Sequence, residues 1–259
     1  MSPRPEDEQP LVEHLEEFRR RIIRACLYVL VGTVAAWAGY DWIIRVLFDP
    51  AWQALRASGG QVVALDFTEA FGARLKVSFA AGFILAAPLV LWELWAFIRP
   101  GLTPHERAAV RPWAPVMFLL FMGGLGFAWA LMPRVVWFFV QFTPAGVTVY
   151  QSLGRYIGLA VKVYLAFGLV FQFPILLLVL GRIGLLRSRT LMRQWRQAIV
   201  VILVAAAIIT PTWDPVTLLA ASLPIVLLYF GTVGVMRVFE GKRTAADALR
   251  EETERLADE

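Results

Sequence analysis

Glu106 stands alone as the acidic residue among Arg99, Arg107 and Arg111 in "FIRPGLTPHERAAVRPW" (97–113), a charged stretch wedged between two long apolar runs. A carboxylate there has two uses. With Thr103 as N-cap and Pro104 at the first helical position, Glu106 falls at the third and completes a capping box that opens the next helix. It can also seat a guanidinium brought by another chain. The uses are compatible, since an ionised carboxylate has about four acceptor sites and a cap takes one or two. The same choice arises in "LVEHLEEFRRRII" (11–23), where Glu16 precedes Arg20 and Glu17 precedes Arg21 by four residues. Such pairs contribute about 0.2–0.5 kcal/mol each when exposed, so a solvated charged face explains them equally well. Leu11, Leu15, Phe18 and Ile22 recur at helical spacing. They predict an amphipathic segment over 8–22 that lies on a membrane surface before turning into a span.

Other chemistry is missing from the sequence. No GxxxxGK[ST] loop occurs, and His14 and His105 belong to no HExxH pattern, which argues against nucleotide hydrolysis and a histidine-held zinc. Cys26 is the single cysteine, so an intrachain disulfide is excluded. The expectation is therefore no enzyme, no cofactor and no metal, with any work drawn from an ion gradient or a partner. No basic cluster is interleaved with base-stacking aromatics in a soluble segment, which argues against nucleic acid as a partner.

The elements that carry these residues follow from composition. Of 259 residues, 59% are hydrophobic and 17% charged, with ten Trp and 18 Phe; the mean hydropathy is +0.63. That is an integral membrane composition. The apolar runs approach the roughly 20 residues that cross a hydrocarbon core of about 30 Å, which predicts helices and not barrel strands. The fold class expected is an all-α polytopic membrane protein of six transmembrane helices in a concave bundle. The spans are placed at about 23–44, 77–98 (with Pro88), 113–132 (with "MGGLG", open to close backbone approach), 157–181 (with Gln172 and Pro174), 198–210 and 216–235 (broken at Pro224), the last two short. Residues 1–236 form one membrane domain and 237–259 a polar tail. The first apolar run is too long for a signal-peptide core. Of the 25 Lys and Arg, 18 fall in the N-terminal segment, the 99–112 and 182–196 loops and the tail. The other side and its adjoining helix ends hold seven: Arg45, Arg56, Arg74, Lys76, Arg134, Arg155 and Lys162. The bias places both termini in the cytoplasm. The outer loops, about 45–75 and 133–155, are expected to lie against the membrane.

Four blocks, "HLEEFRRR", "WAFIRPGLTPHER", "AFGLVFQFP" and "TPTWDP", occur in order ahead of a Pro-containing last span. Together they resemble the TatC family, the signal-receptor subunit of the twin-arginine protein translocase, over nearly the whole chain. The resemblance implies a receptor in the bacterial cytoplasmic (inner) membrane that binds twin-arginine signal peptides of folded cargo. It also implies assembly with single-span TatA/TatB-type subunits, in homo- or hetero-oligomers, for export driven by the proton motive force. It places Glu17 and Glu106 at the carboxylates implicated in recognising the arginine pair, with Arg19, Phe97, Pro100 and Arg107 on neighbouring motif positions. It matches Gln172, Thr210, Pro211 and Asp214 to partner-subunit docking, although Thr210-Pro211 is also an ordinary helix stop. Pro50 matches a proline of the first outer loop, where a plain turn explains it equally. The chemistry is coherent, because the planar fork of arginine suits bidentate carboxylates and the point charge of lysine does not.

The sequence departs from the family pattern at Gln172, where Glu is common, at Glu93, a candidate third carboxylate near the recognition face, and at Phe230. A different class is a gradient-driven carrier of a small solute, with Arg155, Lys162 and Gln172 along its path. Arg155 and Lys162 share one helix face, but near an outer end where snorkelling to water is the default.

Overall fold

The computed structural model describes residues 5–98, 113–144, 146–182, 184–210 and 215–257. The elements in chain order are α1 (Pro5–Ala38), α2 (Tyr40–Ala57), β1 (Gln61–Val63), α3 (Phe67–Ile98), α4 (Trp113–Val140), β2 (Tyr150–Ser152), α5 (Leu153–Val170), α6 (Phe173–Arg182), α7 (Ser188–Arg193), α8 (Trp195–Ile209) and α9 (Pro215–Ala257). Five stretches are long and apolar enough to cross a membrane: Leu15–Ala38, Phe67–Phe97, Pro115–Val140, Leu153–Arg182 and Pro215–Gly241, with Trp195–Ile209 a shorter apolar helix. At 15 residues, α8 is about 22 Å long, well under a core of about 30 Å.

The chain divides into two units, Met1–Leu169 and Val170–Glu259. In the first, α1 packs most extensively against α3. The reason is a pair of glycines. A Cβ on Gly32 would stand 2.5 Å from the Gly82 carbonyl oxygen, and one on Gly82 would collide with the backbone of Thr33. Two helix backbones therefore touch, which maximises dispersion contact where lipid tails supply no hydrophobic drive. Gly126 of "MGGLG" faces open space instead. Phe121 and Phe167 are almost wholly buried between α3, α4 and α5, and Phe121 packs against Phe83 while Phe167 packs against Phe127.

Several elements depart from the sequence expectation. The amphipathic segment does not turn before the first span: α1 is one helix of 34 residues. From Glu13 to Val31 it carries no Gly or Pro, and Glu16–Arg20 and Glu17–Arg21 are both formed along it, so nothing interrupts the ladder. The first span ends at Gly39, and the expected outer loop holds a further helix, α2. Pro50 lies inside α2 and not in a turn. Proline gives no N–H to the carbonyl of residue i−4, here Val46, and Trp129 Nε1 donates to that oxygen at 2.9 Å. Tyr164 Oη donates to the adjacent Leu47 carbonyl at 2.5 Å. The connections after α2 and α4 meet as a parallel pair, β1 with β2, in the register Gln61–Tyr150, Val62–Gln151 and Val63–Ser152. Glu69 ties the same ends together: it accepts from Ser152 Oγ, from Gly154 N at 2.7 Å and from Leu65 N at 2.5 Å.

The expected fourth span is present as Leu153–Arg182, with a two-residue break between α5 and α6. Pro174 cannot serve the Val170 carbonyl, and the chain turns at Phe171–Gln172, where the Gln172 carbonyl accepts from Ile175 N at 3.0 Å. In the second unit α9 packs on α6, α7 and α8. The last apolar helix is neither short nor broken at Pro224: α9 runs 43 residues, of which Pro215–Gly241 are the apolar part. One missing bond does not end a helix where no water competes for the freed carbonyl, and nearby Ser222 Oγ donates to the Leu219 carbonyl. Near the end of that apolar part the Glu240 carboxylate accepts from Ser188 N (2.8 Å) and Ser188 Oγ (2.5 Å), capping α7 from another helix.

Candidate functional site at the α1–α3 seam

The seam between α1 and α3 gathers charges that are far apart in sequence. Helical spacing puts Glu17, Arg21 and Arg24 on one stripe of α1, and Glu93 and Phe97 one turn apart on α3. Arg21 bridges two carboxylates. Its Nε and Nη2 donate to Glu17 Oε1 at 3.0 and 2.5 Å, and its Nη1 donates to Glu93 Oε2 at 3.0 Å. Arg24 Nη1 reaches the other oxygen, Glu93 Oε1, at 3.1 Å. Beside them Phe18 and Phe97 stack at 5.2 Å between ring centroids.

Glu93 is only 5% exposed, yet each of its oxygens has its own arginine. An ionisable group inside a membrane helix has to be answered this way or remain neutral. Glu17 is different, with 31% of its side chain exposed against 18% for Arg21. A half-exposed carboxylate held by a fixed guanidinium is oriented without being sealed from a visitor.

The predicted residues divide accordingly. Glu17, Glu93 and Phe97 come together at this seam. Arg19 is on α1 but exposed. Pro100, Glu106 and Arg107 lie outside the described residues, as do Pro211 and Asp214. Thr210 is buried, and its Oγ1 donates to the Ala206 carbonyl at 2.7 Å at the end of α8, in keeping with a helix stop. Gln172 is half-buried at the α5–α6 break, and Arg155 and Lys162 are exposed on α5. The sequence reading missed Arg21 and Arg24 as site residues. The available signal was Glu93 itself, since a carboxylate within an apolar span demands a cationic partner. Among the described residues, no group of three or more His, Cys, Asp or Glu is placed to hold a metal.

The fold and seam define a polytopic helical membrane protein with a charged, aromatic-lined contact between its first two long apolar helices. The sequence model of TatC, the Sec-independent protein translocase protein, matches residues 13–224. A Sec-independent protein translocase protein TatC of Xylanimonas cellulosilytica is 37% identical over 230 residues, covering 87% of this chain and 83% of that one. Its counterpart in Deinococcus radiodurans is 36% identical over 233 residues, covering 89% and 86%. A crystal structure of a twin-arginine translocase receptor, TatC, superposes with a TM-score of 0.74 at 32% identity, covering 87% of this chain and 98% of the other. The chain belongs to the TatC family.

Proposed function

We propose that this chain is the receptor subunit of a twin-arginine translocase, and that it reads the paired arginines of a signal peptide with Glu17 and Glu106. The observation that supports the reading is the Glu17–Arg21–Glu93–Arg24 array, in which carboxylates of α1 and α3 already hold guanidiniums. In this reading Arg21 fixes Glu17 in place, Glu93 supplies the counter-charge that keeps Arg21 there, and Phe97 with Phe18 offers an apolar ledge for the residues after the arginine pair. Arg19, Pro100 and Arg107 flank the entry. The termini face the cytoplasm of a bacterial inner membrane, and folded cargo is exported with single-span partners under the proton motive force. Those partners dock along the short helix α8 and the 210–215 connection with Thr210, Pro211 and Asp214, while Gln172 offers them an uncharged hydrogen-bonding group. Pro50 acts in shaping α2 and not in recognition.

The test is photocrosslinking of a twin-arginine peptide to the full-length protein in membranes. Hydrogen bonds to charged groups contribute about 1.5–3 kcal/mol each, so Glu17→Gln or Glu106→Gln is expected to weaken the crosslink by roughly ten- to a hundredfold. A twin-lysine peptide is expected to fail comparably. Full crosslinking and export by the double variant would overturn the assignment.

A further inference from the structure

Seven Lys and Arg lie at the end of the first unit opposite the α1–α3 seam or on its adjoining helices, and they fall into two sets. Four have acceptors within the chain. Arg45 Nε donates to the Asp41 carbonyl at 2.9 Å, Arg56 pairs with Asp49 at 2.9 Å and Arg134 donates to the Ala130 carbonyl at 2.9 Å. Arg74 donates to the Trp37 carbonyl at 3.3 Å and lies over the rings of Trp37 and Tyr40. The side chains of the other three, Lys76, Arg155 and Lys162, make no hydrogen bond or ion pair with any described residue, and all three line one open groove of ≈ 780 Å³.

They also converge. Arg155 and Lys162 flank Gly158 on α5, three residues before it and four after it, hence on one face. Lys76 Nζ arrives from α3 at 3.9 Å from where a Gly158 Cβ would stand. The missing side chain thus leaves room for a third cation between two others. Two carboxylates also line the groove, and both are engaged: Glu69 by Ser152, Gly154 and Leu65, and Asp66 by Thr68 N and Oγ1. Those donors are neutral and do not cancel the carboxylates, so three cationic and two acidic side chains line the groove, a surplus of positive charge that attracts an anion. Lys162 is nine residues into α5, about 14 Å along it, too deep to be treated as a loop charge. On α3, Leu75 precedes Lys76 in sequence and forms with Phe71 and Phe79 an exposed apolar strip (50%, 62% and 53%), about 100° round the helix from Lys76. A ligand that suits both is negative at one end and hydrocarbon at the other.

We propose that Lys76, Arg155 and Lys162 around Gly158 form a binding site for the phosphate headgroup of an anionic phospholipid, whose acyl chains lie on the Phe71–Leu75–Phe79 strip. The site is independent of signal recognition at the seam. It gives this end of the bundle a bound lipid that neutralises the triad and bridges α3 to α5.

Native mass spectrometry of the full-length protein in detergent, titrated with phosphatidylglycerol, phosphatidylcholine or sn-glycerol 3-phosphate, tests it. The expected result is a retained phosphatidylglycerol adduct without a matching phosphatidylcholine adduct, and no displacement by the soluble phosphate. At about 1 kcal/mol per basic residue facing an anionic lipid, the Lys76→Gln/Arg155→Gln/Lys162→Gln variant is expected to bind phosphatidylglycerol roughly a hundredfold more weakly. Gly158→Glu, which supplies an internal carboxylate, is expected to do the same, and Lys76→Arg to retain binding. The triple variant alters exposed positions only and is expected to melt like the wild type when no lipid is added. Equal retention of both lipids overturns the proposal, as does undiminished phosphatidylglycerol binding by the triple variant. Displacement by glycerol phosphate also overturns it, in favour of a soluble-anion site.

Discussion

Glu93 and Lys76 lie on the same helix, 17 residues and about 25 Å apart, and their surroundings differ. Around Glu93 the chain supplies its own counter-charges: α1 delivers Arg21 and Arg24, one to each oxygen, and the carboxylate is sealed from solvent. Around Lys76 the neighbouring helix delivers more cations and the groove stays open. An ionised group on a membrane helix costs several kcal/mol unless it is paired. The fold can meet that cost from within, producing a rigid seam, or leave it to a molecule from outside, producing a site. Arg74, two residues before Lys76, shows that the internal solution was accessible at that depth: its guanidinium sits on Trp37 and Tyr40 and on a carbonyl at the end of α1.

The most direct way to break the contrast is to remove the internal answer. Glu93→Leu leaves Arg24 without its carboxylate and Arg21 with only Glu17. Breaking a buried pair from one side costs about 3–5 kcal/mol, and the low end is expected because Arg24 is half-exposed. Thermal unfolding in detergent measures this, and adding Arg24→Leu is expected to recover part of the loss. Next, Gly82→Leu forces α1 and α3 apart at the point of backbone contact. Overpacking of this kind costs about 1–3 kcal/mol, and the variant is expected to release the Phe18–Phe97 stack along with the ion pairs. Distance measurements between spin labels on α1 and α3 check it.

A smaller effect probes whether the internal principle extends to uncharged groups. Trp129→Phe removes the indole donor from the Val46 carbonyl that Pro50 cannot serve, a loss of about 1 kcal/mol. In a Pro50→Ala background the restored N–H takes over, so the same change is expected to cost measurably less in a double-mutant cycle. Smallest of all is Arg20→Gln. Its partner Glu16 is 3.8 Å away and both side chains are well exposed, so a change within about 0.5 kcal/mol is expected. A loss of several kcal/mol there would remove the distinction between sealed and solvated pairs on α1.

Much of this was legible from residue order. Apolar runs located the long helices, and the Glu–Arg spacing located both pairs on α1, because such contacts depend only on the 3.6-residue period. The proline positions were read less well. Pro50, Pro133 and Pro224 all lie inside helices, although a proline by itself predicts a turn or break. What rescues a proline-interrupted helix is a donor such as Trp129, 83 residues from Val46, or the absence of competing water. The β1–β2 pairing and the Glu69 clamp were invisible for the same reason, since three-residue strands carry no periodic signal and their partners lie beyond residue 149.

The sequence by itself determined that this chain crosses a membrane as helices, which residues carry charge, and which of those share a helical stripe; these follow from local periodicity and from transfer energies that depend on side-chain type alone. Only the tertiary structure decided which charges meet. The Gly32–Gly82 contact brings α1 against α3 closely enough for Arg21 and Arg24 to reach Glu93, while the missing side chain at Gly158 leaves Lys76 between two other cations. Whether a charge on these helices is satisfied or left waiting is a matter of a few ångströms between distant segments, and no local pattern encodes that distance.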